Sequence, residues 1–301
     1  MDHWGKFWKQ RHLTTFGAHF SGNYRGDIAD YWMSQFSELK PFFRLFDVAT
    51  GNGAIALLAE KYSVEHGMNF SISACDSAEI VVPKNSSVKF YSGLKFEEVS
   101  LGEASIDFAS SNFGLEYMDY LKSLEKVYSI LRSGGRFSAL LHSDTSVVMH
   151  KCKIEYDLYV HVFERLKLFE SLELFFKSRN DKKNVDGLKS KINTDINSFI
   201  SENPGEELPK EIAGAIAQIF RGLAAGRSNE WVFYSLALLE SEFYSASLRV
   251  ADMVGAALSF DQINALCGTM REVGFIDISL DKFMGSDGGH EYGWSLVAIR
   301  A

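Results

Sequence analysis

The feature of this sequence that most restricts its fold is a glycine-rich turn between a strand-like run and a helix-like run. Leu45–Val48 is apolar except for Asp47, Gly51 and Gly53 follow it, and Ala54–Tyr62 has helical character. Glycines at such a turn permit positive φ angles and let a ligand approach backbone N–H groups closely. The segment therefore predicts a strand–turn–helix unit that binds a ligand, with a tight turn of purely structural role as the alternative.

Strands and helices alternate on both sides of this turn. Further β-type runs lie at Phe70–Cys75, Val88–Tyr91, Ile106–Ala109 and Arg136–Leu141, and a second helical stretch lies at Tyr120–Leu131. Such alternation indicates βαβ units and a parallel sheet. A Gly134-Gly135 turn is expected between the second helix and the strand that follows it.

After residue 146 the apolar spacing changes to every third or fourth position, as in Ile154, Leu158 and Val162, which is typical of helices. We expect roughly four helices and no strand in this block, then a helix at Leu266–Val273 and two strands at Phe275–Phe283 and Tyr292–Ile299. The pattern predicts four segments: an aromatic helical segment at 1–40, an α/β core at 41–146, a helical cap or dimerisation insertion at 147–250, and completion of the core at 251–301.

The first segment is rich in aromatic residues. They are Trp4, Phe7, Trp8, Phe16, Phe20, Tyr24, Tyr31, Trp32 and Phe36. An amphipathic helix that packs on the core is one interpretation, and an aromatic lid over a pocket is the other. In the second case Tyr24 and Trp32 are candidate substrate contacts.

The charge and cysteine content exclude several classes of function. The 301 residues include 31 Lys and Arg and 39 Asp and Glu. The resulting net charge of −8 argues against general binding of nucleic acid or anionic membranes. The 3 cysteines are far apart and form no CxxC pair, which favours a reducing compartment. Without a signal-peptide pattern or a long apolar run, we expect a cytoplasmic protein, and we find no metal-ligand spacing.

The residues around the turn discriminate between two cofactor classes. Gly51-x-Gly53-x-x-Ala56 matches the dinucleotide pattern, and Asp76 lies roughly twenty residues further on. A carboxylate at Asp47, however, would repel a pyrophosphate and attract the ammonium and sulfonium groups of S-adenosylmethionine. Asp76 would accept hydrogen bonds from ribose hydroxyls with either cofactor.

Four motifs in order resemble class I S-adenosylmethionine-dependent methyltransferases. Asp47–Gly53 is similar to motif I of that family, with Ala49 in place of the first glycine, as in the quinone-type C-methyltransferase branch. Asp76, the segment Ile106–Tyr117 and the segment Leu131–Phe137 resemble the motifs that follow. The resemblance implies an α/β, doubly wound, seven-stranded and mostly parallel Rossmann-like sheet with a C-terminal antiparallel hairpin.

The resemblance also implies roles for individual residues in cofactor binding. Asp47 and the backbone of Ala49, Gly51 and Gly53 would hold the methionine end, Asp76 and Ser77 the ribose, Gly93 and Leu94 the adenine, and Asn112 and Phe113 would lie near the sulfonium. The acidic residue that this family usually has near Gly93 is missing.

Residues that follow the fourth and fifth predicted strands are the candidates for catalysis, because ligands of open α/β sheets lie at the carboxyl ends of the strands. His142 is the candidate base and a substrate contact, since an ordinary histidine pKa near 6.5 suits proton removal at neutral pH. Glu116 would orient an amine or hydroxyl, beside Tyr117. Each could instead have a purely structural role.

These observations predict S-adenosylmethionine-dependent methyl transfer to a small organic acceptor by in-line displacement. The rivals are a nicotinamide-dependent oxidoreductase and a catalytically inactive cofactor-binding scaffold that acts in a complex. The helical insertion would either enclose the acceptor or form a homodimer.

Overall fold

The computed structural model describes residues 3–15, 22–179, 182–286 and 288–301, and no side chains are described for 182–184. Phe16 and Phe20, predicted to belong to the aromatic segment, lie outside the described residues. The chain divides into two compact units, one containing 1–150 and 252–301 and the other containing 151–251.

A seven-stranded sheet forms the centre of the first unit. Its strands are β1 (Arg44–Val48), β2 (Ser71–Asp76), β3 (Lys89–Ser92), β4 (Ile106–Asn112), β5 (Leu131–Leu141), β6 (Phe275–Met284) and β7 (Glu291–Arg300). They lie in the order β3-β2-β1-β4-β5-β7-β6. β1 to β5 pair in parallel, and β7 is antiparallel to both of its neighbours, so β7 alone of the seven runs in the opposite direction.

The described residues of the first unit contain five complete α-helices. In the first unit they are α1 (His3–Lys9), α2 (Asp27–Ser37), α3 (Ala54–Glu65), α4 (Tyr120–Ile130) and α10 (Phe260–Val273). A short 3₁₀ turn, Leu115–Tyr117, follows β4. The remaining helices are α5 (Val147–Val160), α6 (Leu168–Lys177), α7 (Lys182–Glu202), α8 (Leu208–Ala224) and α9 (Asn229–Ala256).

The central strands are buried because both faces of the sheet are covered. In β1, Leu45 packs in one apolar core with Phe108, whereas Phe46 packs in a second core with Phe96 on the other face. Alternating side chains of one strand thus enter different cores, which is why parallel strands are nearly all apolar. This burial makes the one carboxylate in β1, Asp47, exceptional.

The fold class predicted from the sequence is confirmed, and two local expectations are wrong. β5 begins at Leu131, directly after α4, so Gly134 and Gly135 lie within the strand rather than before it. The block after residue 146 contains five α-helices in the described residues, not four, and a π-helical turn at His161–Arg165 separates α5 from α6. The cap or dimerisation role of that block stays a prediction.

Candidate active site

Asp47, in the middle of the sheet, anchors the site. Its side chain is 3% exposed, its Oδ2 accepts a hydrogen bond from the Thr50 hydroxyl at 2.5 Å, and its Oδ1 accepts one from the Ser110 hydroxyl at 2.7 Å. Ser110 is directly opposite Asp47 in the β1–β4 register. Burial raises the pKa of Asp47 to about 6, and the two hydroxyls and the Ala56 backbone oppose the shift.

The glycine turn has the backbone that the sequence predicts, but its close contacts differ from the expected ones. Gly51 and Gly53 have φ angles of +55° and +90°. A Cβ on Gly51 would stand 2.5 Å from the ring of Trp8, and one on Gly53 would stand 2.8 Å from the ring of Phe90. The missing side chains therefore make room for aromatic rings of the protein itself.

Asp76 ends β2 and connects the glycine turn to the next loop. Its carboxylate accepts hydrogen bonds from the backbone N–H groups of Gly51 at 2.7 Å and Ala78 at 2.8 Å. The backbone N–H of Leu94 donates to the Asp76 carbonyl, so the loop after β3 lies beside the same residue. The side chain of Leu94 is 38% exposed, and Ser77 is exposed.

Asn112, at the end of β4, is held by the two aromatic residues that were predicted to contact substrate. The Trp32 indole N–H donates to Asn112 Oδ1 at 2.8 Å, and the buried Tyr24 hydroxyl also hydrogen-bonds the Asn112 side chain. Trp32 is fully buried, with 0% exposure, and its contact with Asn112 is structural. The substrate contacts expected of Tyr24 and Trp32 stay predictions.

Phe113 and His142 bring the ends of β4 and β5 together. Phe113 has a left-handed backbone, with φ +54°, and its N–H donates to the Leu140 carbonyl. Its ring stacks on the His142 imidazole with the centroids 4.6 Å apart and the planes 17° apart. The Tyr117 ring meets the same imidazole edge-on at 6.3 Å.

Glu116 and His142 are joined by a hydrogen bond, although not between their side-chain polar groups. The His142 backbone N–H donates to Glu116 Oε1 at 2.8 Å, and both side chains are 4% exposed. Glu116 Oε2 and His142 Nδ1 are buried and have no hydrogen-bond partner among the described residues. Burial raises the pKa of Glu116 to about 8 and lowers that of His142 to about 3.

These pKa values reverse the expected order of basicity. Burial disfavours the protonated imidazole and so lowers the pKa of His142 below the ordinary histidine value, which makes it a weaker base than the sequence suggests; its role as the base stays a prediction. An imidazole with so low a pKa is a weak base, whereas an ionised carboxylate at Glu116 is a much stronger one.

The N-terminal helix α1 lies against the glycine turn. The Asn52 side-chain amide donates to the carbonyls of Trp8 at 2.9 Å and His12 at 2.7 Å, and its Oδ1 accepts from the Val81 N–H. At the other end of α1, the Trp4 indole N–H donates to Asp252 Oδ2 at 3.0 Å.

Sequence reasoning did not assign these contacts. Ser110 could have been noticed as a polar residue within a buried strand, and Asn52 as a polar residue between the two glycines. Asp252 carried no signal, because its partner is far away in the chain.

The donors and acceptors present fit S-adenosylmethionine. Two buried carboxylates, Asp47 and Asp76, flank the glycine turn and provide acceptors for an ammonium group and for ribose hydroxyls. Among the described residues no lysine or arginine contributes to the pKa shift of Asp47, so no cation there offsets the repulsion between this carboxylate and a pyrophosphate. No cluster of three or more His, Cys, Asp or Glu in the described ranges could hold a metal ion. None of the helices in those ranges is long and apolar enough to cross a membrane.

Comparison with known proteins points to the same conclusion. Residues 46–139 match the family described as "Methyltransferase domain". This segment is similar to methyltransferase domains. The resemblance to class I methyltransferases predicted from the motifs is thereby confirmed for the segment that contains Asp47, Asp76 and Glu116, and the match supports S-adenosylmethionine as the cofactor rather than a nicotinamide.

Two curated relatives are ubiquinone/menaquinone biosynthesis C-methyltransferases. The one from Rickettsia felis is 30% identical over 122 residues, which is 36% of this chain and 49% of the relative. The one from Rickettsia bellii is 29% identical over 121 residues, with the same coverage of 36% and 49%. The chain thus spans about half the length of the curated relatives it matches.

Solved structures give weaker likenesses. A SAM-dependent methyltransferase from Thermotoga maritima has a TM-score of 0.42 and 11% identity and covers 91% of this chain and 90% of its own. A geranyl diphosphate C-methyltransferase from Streptomyces coelicolor has a TM-score of 0.31 and 13% identity over 38% of this chain and 45% of its own. Both TM-scores lie below 0.5, so neither adds to the identification.

The pKa of Asp47 predicts a pH dependence of cofactor affinity. The ionised carboxylate attracts a cation, and its population grows as the pH rises through about 6. S-adenosylmethionine should therefore bind roughly tenfold more weakly at pH 5 than at pH 7. Calorimetric titration across this range would measure the change. At pH 7 the Asp47→Asn variant should bind S-adenosylmethionine at least about tenfold more weakly than the wild type does, and its affinity should not change with pH. The exposed control Asp30→Asn should behave like wild type, and a pH response that survives in Asp47→Asn would contradict the assignment.

The burial of His142 makes a second prediction. Because its pKa is lowered to about 3, its imidazole should remain neutral from pH 5 to pH 8. The ring resonance of His142 in an NMR pH titration, assigned by its disappearance in His142→Gln, should not shift in this range. A midpoint near 6.5 would show that the imidazole is solvated and restore it as a base.

Proposed function

We propose that this protein is an S-adenosylmethionine-dependent methyltransferase that methylates a small organic acceptor. The observation that carries the proposal is the pair of buried carboxylates, Asp47 and Asp76, on either side of a glycine turn at the carboxyl ends of β1 and β2. Ligands of open α/β sheets bind at this edge. A cation and a diol are the groups that two such carboxylates recognise.

Each residue near the turn has a proposed part in holding the cofactor. Asp47 and the backbone from Ala49 to Gly53 face the methionine end, Asp76 and Ser77 the ribose, and Gly93 and Leu94 the adenine. Asn112 and Phe113 form the floor near the sulfur. When bound, the cofactor supplies a methyl group that its sulfonium already makes electrophilic. The protein then has to align the acceptor and, where the acceptor is protonated, remove a proton.

Glu116 is the group best suited to accept that proton. Its pKa of about 8 makes its carboxylate a far better proton acceptor than the neutral His142 imidazole. His142 and Tyr117 contribute the rings beside it. We assign His142 to positioning, because its backbone N–H fixes the Glu116 carboxyl.

The partners and location of the protein are also proposals. A small molecule is the favoured partner, since the net charge of −8 disfavours nucleic acid. A homodimer formed through the helical unit 151–251 stays a prediction. The cysteine content favours a cytoplasmic location, which stays a prediction.

Calorimetry and a transfer assay together test the function. The protein should bind S-adenosylmethionine and S-adenosylhomocysteine and should not bind NAD. With the methyl-labelled cofactor and a small-molecule fraction of cell extract, it should produce S-adenosylhomocysteine faster than Asp47→Asn does. Binding of NAD without S-adenosylmethionine would support the oxidoreductase instead. Tight binding of S-adenosylmethionine with no product above the Asp47→Asn background would favour the inactive scaffold.

A further inference from the structure

Two buried polar atoms at the ends of β4 and β5 lack partners. Glu116 Oε2 and His142 Nδ1 make no hydrogen bond to any described residue, although both side chains are 4% exposed. Leaving a buried polar atom unpaired costs free energy, so native structures rarely do so without a reason. The hydrogen bond from the His142 N–H to Glu116 Oε1 holds the two residues together. A ligand that satisfies both atoms would explain the arrangement.

Aromatic rings surround the same residue, His142. Phe113 stacks on its imidazole, Tyr117 meets it edge-on, and the Trp4 ring packs edge-on against Tyr117 with the centroids 5.8 Å apart. The faces of aromatic rings attract cations, and rings combined with a carboxylate are a common means of recognising organic ammonium groups. The neighbourhood of Glu116 therefore has both elements of an amine-binding site.

The charges at this edge of the sheet favour a cation and oppose an anion. Asp47, Asp76 and Glu116 are all buried there. The shift in the pKa of Glu116 arises from burial and is opposed only by backbone N–H groups, without a contribution from any lysine or arginine among the described residues. A carboxylate or phosphate on the acceptor would meet these acids without a balancing charge. An ammonium group beside Glu116 would instead lower its raised pKa and favour the ionised carboxylate.

We propose that the acceptor is a small organic amine and that Glu116 determines this specificity. This inference rests on the proposed methyltransferase function and deepens it. An amine enters as an ammonium ion, and its nitrogen has no lone pair until one proton leaves. The ionised Glu116 carboxylate accepts that proton: an N–H bond breaks, its electron pair stays on nitrogen, and an O–H bond forms at the carboxyl group. The nitrogen is then a nucleophile.

A cationic group could reach Glu116 from two sources, the acceptor or the sulfonium of the cofactor. The comparison of S-adenosylmethionine with S-adenosylhomocysteine separates them, because the second molecule lacks the methyl group and the positive charge on sulfur. If Glu116 faces the sulfonium, Glu116→Gln should weaken the binding of S-adenosylmethionine more than that of S-adenosylhomocysteine. If Glu116 faces the acceptor, the substitution should leave the affinities for both molecules unchanged.

Binding of three matched probes to the protein saturated with S-adenosylhomocysteine tests the proposal without relying on activity. The probes are 2-phenylethylamine, 2-phenylethanol and phenylacetate, which share a phenyl ring and differ in charge. Calorimetry should show binding of the amine, weaker binding of the alcohol and no binding of the carboxylate. Glu116→Gln keeps the size and the hydrogen-bonding capacity of the side chain but cannot ionise, so it should weaken amine binding by about 10- to 100-fold.

The control Glu125→Gln removes an equal charge from an exposed position on α4 and should leave all affinities unchanged. Both variants should bind S-adenosylmethionine and S-adenosylhomocysteine as wild type does, which also shows that they are folded. Three results would overturn the proposal: the carboxylate binds as well as the amine, none of the probes binds to the loaded protein, or Glu116→Gln loses affinity for S-adenosylmethionine alone. Failure of the wild type to bind either cofactor form would instead reject the methyltransferase function.

Discussion

The site depends on the burial of a carboxylate in the central strand of the sheet. Asp47 lies in β1 between two apolar cores, where an uncompensated charge is expensive. Hydroxyls of Thr50 and Ser110 keep it in place, yet burial still raises its pKa to about 6. A group in this state gains from the arrival of a cation. The glycine turn, Asp76 and the end of β4 lie around that position. The binding of a positively charged cofactor would therefore offset the free-energy cost of burying the Asp47 carboxylate.

The proposal divides the acidic edge of the sheet into two parts with different tasks. Asp47 and Asp76, at the ends of β1 and β2, are fixed by short hydrogen bonds and suit a cofactor that binds in one orientation. Glu116, at the end of β4, has one fixed oxygen and one without a partner, as a residue that acts on a second ligand should. The matched family segment, residues 46–139, includes all three acids and ends before His142. The curated relatives are named as C-methyltransferases, so an amine acceptor would separate this chain from them.

The sequence predicted the sheet and the cofactor edge because both depend on local pattern. Alternating strands and helices, the two glycines and the spacing from Asp47 to Asp76 are visible along the chain. The contacts that the sequence did not predict are made between residues that are distant in the chain. Trp8 packing on Gly51, and the contact of Trp32 with Asn112, require the folded chain. The lowered pKa of His142 was equally hidden, since it results from burial of the imidazole, and residue type alone carries no such information.

The most direct test of this account is a crystal structure of the protein with S-adenosylhomocysteine. The account predicts the ribose hydroxyls on the Asp76 carboxylate, the amino group of the ligand on the Asp47 side of the glycine turn, and the sulfur beside Asn112 and Phe113. A ligand bound elsewhere on the sheet, or one whose amino group lies far from Asp47, would contradict the claim that the buried carboxylate of β1 exists to receive a cation.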